Sequence, residues 1–109
     1  MSTLNLPPPV AAYFSADLES ADAVARCFTM NGKVKDEGHI YIGPDAIKGW
    51  KLTASSTYEY TNDPVAIEHQ DGICIVTSRV TGSFPGSPLE LRYTFHLESG
   101  LIASLEISA

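Results

Sequence analysis

The sequence predicts an α+β domain, because its hydrophobic spacing changes from helical to strand-like midway along the chain. Val10, Tyr13 and Phe14 lie at helical spacing, whereas apolar and polar residues alternate from Tyr58 onward. The chain has 109 residues, the size of one domain. We therefore expect residues 1–109 to form a single domain, with helices first and a curved antiparallel sheet after them.

About three helices are expected. Proline suits a first helical turn, so the run Pro7–Pro9 leads into the first helix. Ser20 is a candidate N-cap of the second helix, whose predicted buried stripe comprises Val24, Cys27 and Phe28. The third helix starts at Gly43-Pro44-Asp45, and one of its faces carries Ile47, Trp50 and Ala54.

Turn residues divide the rest of the chain into strands. Asn31-Gly32 predicts a turn before two short strands, and Asp71-Gly72 predicts a hairpin between two long ones. The predicted short strands are Lys33–Gly38 and His39–Ile42, and the predicted long strands are Glu59–Gln70, Ile73–Phe84, Leu89–Glu98 and Leu101–Ser108.

Alternation assigns the faces of the last two strands. The predicted inner residues are Leu89, Leu91, Tyr93, Phe95 and Leu97, followed by Leu101, Ala103, Leu105 and Ile107. The predicted outer residues are Glu90, Arg92, Thr94 and His96, followed by Ile102, Ser104 and Glu106. A curved sheet closed by helices forms a cone with a pocket at its open end.

Composition disfavours several classes of protein. The net charge is −6 and the seven Lys and Arg residues are scattered, which argues against nucleic-acid partners and anionic membrane surfaces. We expect a cytoplasmic protein, since no signal peptide or membrane-spanning run is evident. Cys27 and Cys74 are expected to be free thiols, with a single bridge left open. His39, His69 and His96 lack metal-ligand spacing, so no metal site is expected.

Three segments carry a resemblance to a known family: SADAVARCF, MNGKVKDEG and YIGPDAIKGW, followed by the four strands. Together they resemble the NTF2-like superfamily, in its branch of ketosteroid isomerases and SnoaL-like polyketide cyclases. The resemblance covers nearly the whole chain and implies a cystatin-like cone. It also implies that no cofactor is needed and that the protein is a homodimer formed through the outer sheet face.

The resemblance places Asp36 where isomerase-like relatives have a general base. Tyr93 stands where they have a protonated aspartate, and a phenol can donate a similar hydrogen bond to an oxyanion. Phe14 stands in register with their oxyanion tyrosine, with Tyr13 expected on a different face. Steroid isomerisation is therefore not expected. The alternatives are that Asp36 is a solvated strand-end acid beside Lys35 or Lys33, and that Tyr93 only lines the pocket.

The expected function is the binding of a small apolar molecule, with acid–base catalysis of the isomerase, cyclase or dehydratase type. Asp36 and Tyr93 are the candidate catalytic residues. The candidate substrate-binding residues are Phe14, Trp50, Phe95 and Leu97. His39 is expected to point away from Asp36 unless a bulge forms at Gly38. The alternative function is a non-catalytic ligand-binding or dimerisation module with the same cone.

Overall fold

The structure is a computed structural model that describes residues 5–57 and 60–109. Helices occupy much of the first half, and four long strands form the second half. The elements are α1 (Pro8–Asp17), α2 (Ala21–Ala25), β1 (Phe28–Asp36), β2 (His39–Ile42), α3 (Pro44–Thr57), β3 (Tyr60–Gln70), β4 (Ile73–Gly82), β5 (Leu89–Glu98) and β6 (Leu101–Ser108). Glu59, the predicted first residue of β3, lies outside the described residues.

Local signals explain where several elements begin. The hydroxyl of Ser20 accepts a hydrogen bond from the backbone N–H of Ala23 at 3.1 Å, which confirms the predicted N-cap of α2. Helix α3 begins at Pro44, as predicted. Asp71 and Gly72 both have positive φ, which matches the two-residue turn expected between β3 and β4. None of the described helices is long and apolar enough to cross a membrane.

The six strands form one curved, unclosed sheet in the order β2-β1-β6-β5-β4-β3. The predicted α+β architecture and cone-like sheet are confirmed, but the sheet is mixed because β1 and β6 run parallel. After β2 the chain passes through α3 to the far edge of the sheet. Strands β3 to β6 then return by hairpins, so the last strand reaches β1 in the parallel direction.

Strand β1 differs from the prediction at its start. Helix α2 ends at Ala25, so Cys27 and Phe28 do not belong to its buried stripe. Asn31 and Gly32 lie within β1 rather than in a turn, and the pairing with β6 shifts register between Phe28 and Lys33. The backbone at Gly32 passes so close to the Phe28 side chain that a Cβ added at position 32 would lie 2.9 Å from the Phe28 Cβ. Glycine therefore permits this irregular strand, whereas the Asn-Gly pair in the sequence predicted a turn.

Strand β6 also departs from simple alternation. Leu97 pairs with Ile102 and His96 pairs with Ser104, so Ala103 is an extra residue in β6. This irregularity places Ile102 in the core, fully buried, and leaves Leu101 39% exposed. The prediction that Leu101 faced inward and Ile102 outward was wrong for this reason. Leu105 and Ile107, after the bulge, do contribute to the core as predicted.

The two glycines at positions 32 and 49 offer a matched test of this packing. Gly32→Ala is expected to lower the free energy of unfolding by about 1–3 kcal/mol, because the new methyl group meets Phe28. Gly49→Ala, in the exposed face of α3, meets nothing within 4 Å and is expected to stabilise by about 0.5–1 kcal/mol. Urea unfolding measures both; a neutral Gly32→Ala would contradict the close approach.

Candidate functional site

Asp36 and Tyr93 lie in one row across the inner face of the sheet, the face covered by the helices. Asp36 in β1 pairs with Ile107 in β6, and Ile107 pairs with Tyr93 in β5. Because neighbouring strands are about 4.8 Å apart, the two Cα atoms are separated by about 10 Å.

The carboxylate of Asp36 is held by the third helix. Trp50, on the buried face of α3, donates its indole N–H to Oδ2 of Asp36 at 3.0 Å. The indole is 8% exposed, and Asp36 itself is half-buried. Asp36 therefore faces the helices instead of standing free in solvent beside Lys35.

Tyr93 is oriented by two polar side chains that sequence reasoning did not identify. Asn62 in β3 donates from Nδ2 to the Tyr93 hydroxyl oxygen at 2.8 Å. The hydroxyl of the fully buried Ser78 in β4 donates in turn to Oδ1 of Asn62. Because the Tyr93 hydroxyl oxygen accepts from Asn62, the hydroxyl proton of Tyr93 points in another direction. That proton has no acceptor among residues 5–57 and 60–109.

The Tyr93 phenol remains protonated over a wide pH range. Burial raises its pKa well above the ordinary value, and the nearby Tyr60 and Asp36 act in the same direction. The hydrogen bond from Asn62 offsets only part of this effect. Tyr93 is 4% exposed, so its hydroxyl is a neutral donor within a largely apolar environment.

Aromatic rings from α1 and β5 pack around this phenol. Phe14 contacts Tyr93 and Phe95 edge-on, with ring centroids 5.5 Å and 6.1 Å away. Tyr13 contacts Phe95 at 5.5 Å and is also buried. The prediction that Tyr13 and Phe14 occupy different faces was wrong, since the buried stripe of α1 is wide enough to include both. Burial raises the pKa of Tyr13 well above its ordinary value.

Leu97 lies away from this group of residues. It is four residues beyond Tyr93 on β5, or about 13 Å along the strand. There it borders a surface cavity of about 460 Å³ near the β3–β4 turn, beside Pro7 and Cys74. The structure therefore brings Asp36, Trp50, Tyr93, Phe14 and Phe95 to the inner face but does not bring Leu97 to Asp36.

The β1–β2 hairpin changes the expected position of His39. Glu37 and Gly38 both have positive φ and form a two-residue turn, so Asp36 and His39 pair directly across it. Directly paired residues share a face, so the expectation that His39 points away was wrong. His39 is exposed, and its ring lies 6.5 Å from that of Tyr41, which lies 6.3 Å from Trp50.

A buried ion pair lies behind Trp50. Lys51 is only 4% exposed and pairs its ammonium group with the buried carboxylate of Asp17 at the end of α1. The same ammonium donates to the Tyr60 hydroxyl and lies 5.7 Å from the centre of the Trp50 ring. Burial lowers the pKa of Lys51 to about 8. Sequence reasoning missed this group because a lysine in a helix usually remains solvated.

The described part of the chain also contains two cysteine thiols and several other groups that could bind a metal ion. Cys27 is half-buried and Cys74 is buried; both are free thiols, and burial raises the pKa of each. Across residues 5–57 and 60–109, no three His, Cys, Asp or Glu side chains are arranged to hold a metal ion.

Comparison with known proteins places this geometry in a family. No protein-family model matches the sequence, and no curated protein matches it. Among solved structures, a presumed polyketide cyclase from Sinorhizobium meliloti is 35% identical, with a TM-score of 0.92. The match covers 99% of this chain and 100% of that chain. The chain belongs to the NTF2-like superfamily.

Other NTF2-like neighbours share the fold at lower identity. A Catenulispora acidiphila protein with a ketosteroid isomerase-like fold, solved with trimethylamine, is 18% identical with a TM-score of 0.85. That match covers 96% of this chain and 87% of that chain. An NTF2-like protein of unknown function from Cytophaga hutchinsonii is 15% identical with a TM-score of 0.73, over 98% and 92% of the two chains. At these identities the two matches show a shared fold and do not indicate a reaction.

Proposed function

We propose that this NTF2-like protein binds a small apolar molecule with a carbonyl group in its cone and transfers a proton on it. Asp36 is the base and Tyr93 is the hydrogen-bond donor. The proposal rests on one observation: Asp36 and Tyr93 lie in the same row across the inner face of the sheet, and a hydrogen bond orients each side chain. The reaction class is isomerase, cyclase or dehydratase, and the resemblance to a presumed polyketide cyclase supports it.

The proposed proton transfer uses one atom of Asp36 and one of Tyr93. Trp50 occupies Oδ2 of Asp36, which leaves Oδ1 to remove a proton from a carbon next to the carbonyl. The Tyr93 proton, which has no acceptor among the described residues, is available to the carbonyl oxygen as negative charge develops there. These steps use only side chains of this chain.

The walls of the site favour an apolar ligand. Phe14 and Phe95 pack against the ring of Tyr93, and Trp50 contacts Asp36. These apolar neighbours strengthen the hydrogen bonds that the two polar groups would make to a ligand. Leu97 is too far along β5 to contact the same small molecule.

The alternative is a non-catalytic module that binds a ligand or dimerises. One observation favours it: the rings of Tyr13, Phe14, Tyr93 and Phe95 contact one another and fill much of the inner face. Two cavities lined by described residues lie elsewhere, one at the β3–β4 turn and one on the outer face. In this alternative Asp36 and Tyr93 hold a ligand without moving a proton.

Deuterium exchange separates the two functions. In D₂O, the protein is expected to accelerate exchange of the α-protons of cyclohexanone or 2-cyclohexenone, followed by NMR. Asp36→Asn is expected to slow this exchange by about 10²–10⁴-fold, because the base is lost. Tyr93→Phe is expected to slow it by about 10²–10³-fold through the rate constant, because the oxyanion donor is lost.

Asp63→Asn is the matched control, because this exposed carboxylate in β3 is expected to leave the exchange rate unchanged. Trp50 is the single tryptophan, so its fluorescence reports binding independently of exchange. Binding without exchange would establish the non-catalytic module. Exchange that persists in Asp36→Asn would contradict the assignment of the base.

We also propose that the protein forms a homodimer through the outer sheet face. Exposed Ile40 lines a groove of about 350 Å³ together with Lys33, Lys35 and Glu106. Exposed Ile42 pairs with Lys33 beside it. Lys35 and Glu106 lie 4.0 Å apart. A two-fold axis at this groove would set the lysines of one copy against the glutamate of the other, so the surface is complementary to itself.

Light scattering during size-exclusion chromatography tests this interface. The wild-type protein is expected to elute with twice the 11.7 kDa mass of the chain. Ile40→Glu places a charge at the apolar edge of the groove and is expected to yield monomers. Leu18→Glu is the control, since Leu18 is 77% exposed at the end of α1 and away from this face. A monomeric wild type at micromolar concentration would contradict the dimer.

A further inference from the structure

Among residues 5–57 and 60–109, the buried ammonium of Lys51 is a strongly perturbed cation that the proposed reaction leaves unused. It comes from α3, pairs with Asp17 from α1, and donates to Tyr60 at the start of β3. Lys48, also on α3, provides the contrast, because its ion pair with Asp22 of α2 at 3.0 Å is solvated. Burying a charge is costly, so the placement of Lys51 calls for a structural reason.

Trp50 connects this cation to Asp36. The Lys51 ammonium lies 5.7 Å from the centre of the indole ring, and the N–H of that same ring donates to Asp36 at 3.0 Å. A cation near an indole ring draws electron density from it. The indole N–H then carries more positive charge and donates a stronger hydrogen bond to the carboxylate.

We propose that Lys51 is a positioning residue whose charge sets the strength of the hydrogen bond between Trp50 and Asp36. With Lys51 protonated, the indole N–H donates a strong hydrogen bond to the Asp36 carboxylate. With Lys51 neutral, this hydrogen bond weakens. The consequence for catalysis rests on the proposed function, whereas the coupling between the three side chains does not.

The titration of Lys51 can be separated from that of its neighbours. Its pKa is lowered to about 8 by burial, whereas burial raises the pKa values of Tyr13, Tyr93, Cys27 and Cys74 away from that region. Among the residues that the structure describes, the groups that face the ammonium are the Asp17 carboxylate on α1 and the Tyr60 hydroxyl on β3. On α3 itself, Lys48 is occupied by Asp22 of α2.

The indole proton of the single tryptophan reports the coupling directly. In ¹H–¹⁵N spectra from pH 7 to 9.5, the Trp50 indole proton is expected to move upfield with a midpoint near pH 8, as its hydrogen bond weakens. Lys51→Arg keeps the charge over this range and is expected to abolish the titration. Lys51→Met, which is neutral throughout, is expected to abolish it as well, and Lys48→Arg is expected to retain it.

Asp36→Ala separates the hydrogen bond from the direct effect of the cation on the ring. Without a carboxylate acceptor, the titration is expected to be clearly smaller than in the wild type. The proposal is overturned if the wild-type indole proton does not titrate, if the titration persists in Lys51→Arg, or if Asp36→Ala leaves its amplitude unchanged. An indole titration in a protein without exchange activity would support the coupling while refuting the proposed function.

If exchange activity is present, its rate at saturating ketone is expected to rise severalfold across the same midpoint, because the weaker hydrogen bond from Trp50 leaves the Asp36 carboxylate freer to accept a proton from the ketone. In Lys51→Arg this rise is expected to disappear. A purely structural role for Lys51 would lower stability without moving the pH profile. The exchange rate of the wild-type protein could instead stay constant through pH 8 while the indole proton titrates. That result would show that Lys51 affects the hydrogen bond but not the rate, and it would overturn the catalytic consequence.

Discussion

The hydrogen bond from Trp50 to Asp36 is the constraint on which the site depends. It joins α3 to the last residue of β1, so the position of a helix determines the direction of a carboxylate. A strand-end acid would otherwise turn into water, where its charge is best solvated. Because the indole N–H replaces part of that solvation, Asp36 can face the helices and lie in the same row as Tyr93.

Polar groups on the inner face are few, and those around Tyr93 are paired. Ser78 donates to Asn62, and Asn62 donates to Tyr93, so three strands cooperate to orient one phenol. An unpaired polar group in such a packed apolar interior costs about 1–3 kcal/mol, which explains why these residues form a connected set. The arrangement leaves the Tyr93 proton directed away from Asn62, and the proposed function uses this feature.

The sequence predicts what depends on local periodicity and misses what depends on contacts between elements. Pro44 and the helical spacing that follows predict both α3 and the buried face of Trp50. The extra residue Ala103 in β6 carries no local signal, so the faces at the start of that strand were misassigned. Asn62 and Lys51 look like solvated residues in sequence. Only the packing of distant strands and helices buries Lys51 and half-buries Asn62 beside aromatic rings.

A crystal structure of a complex with 2-cyclohexenone would show whether Asp36 and Tyr93 act on the same molecule. We expect the carbonyl oxygen to lie within hydrogen-bond distance of the Tyr93 hydroxyl, with an adjacent carbon facing Oδ1 of Asp36 and the hydrogen bond from Trp50 intact. An enone bound only in the outer groove would contradict it. So would an Asp36 side chain turned away from Trp50 into solvent.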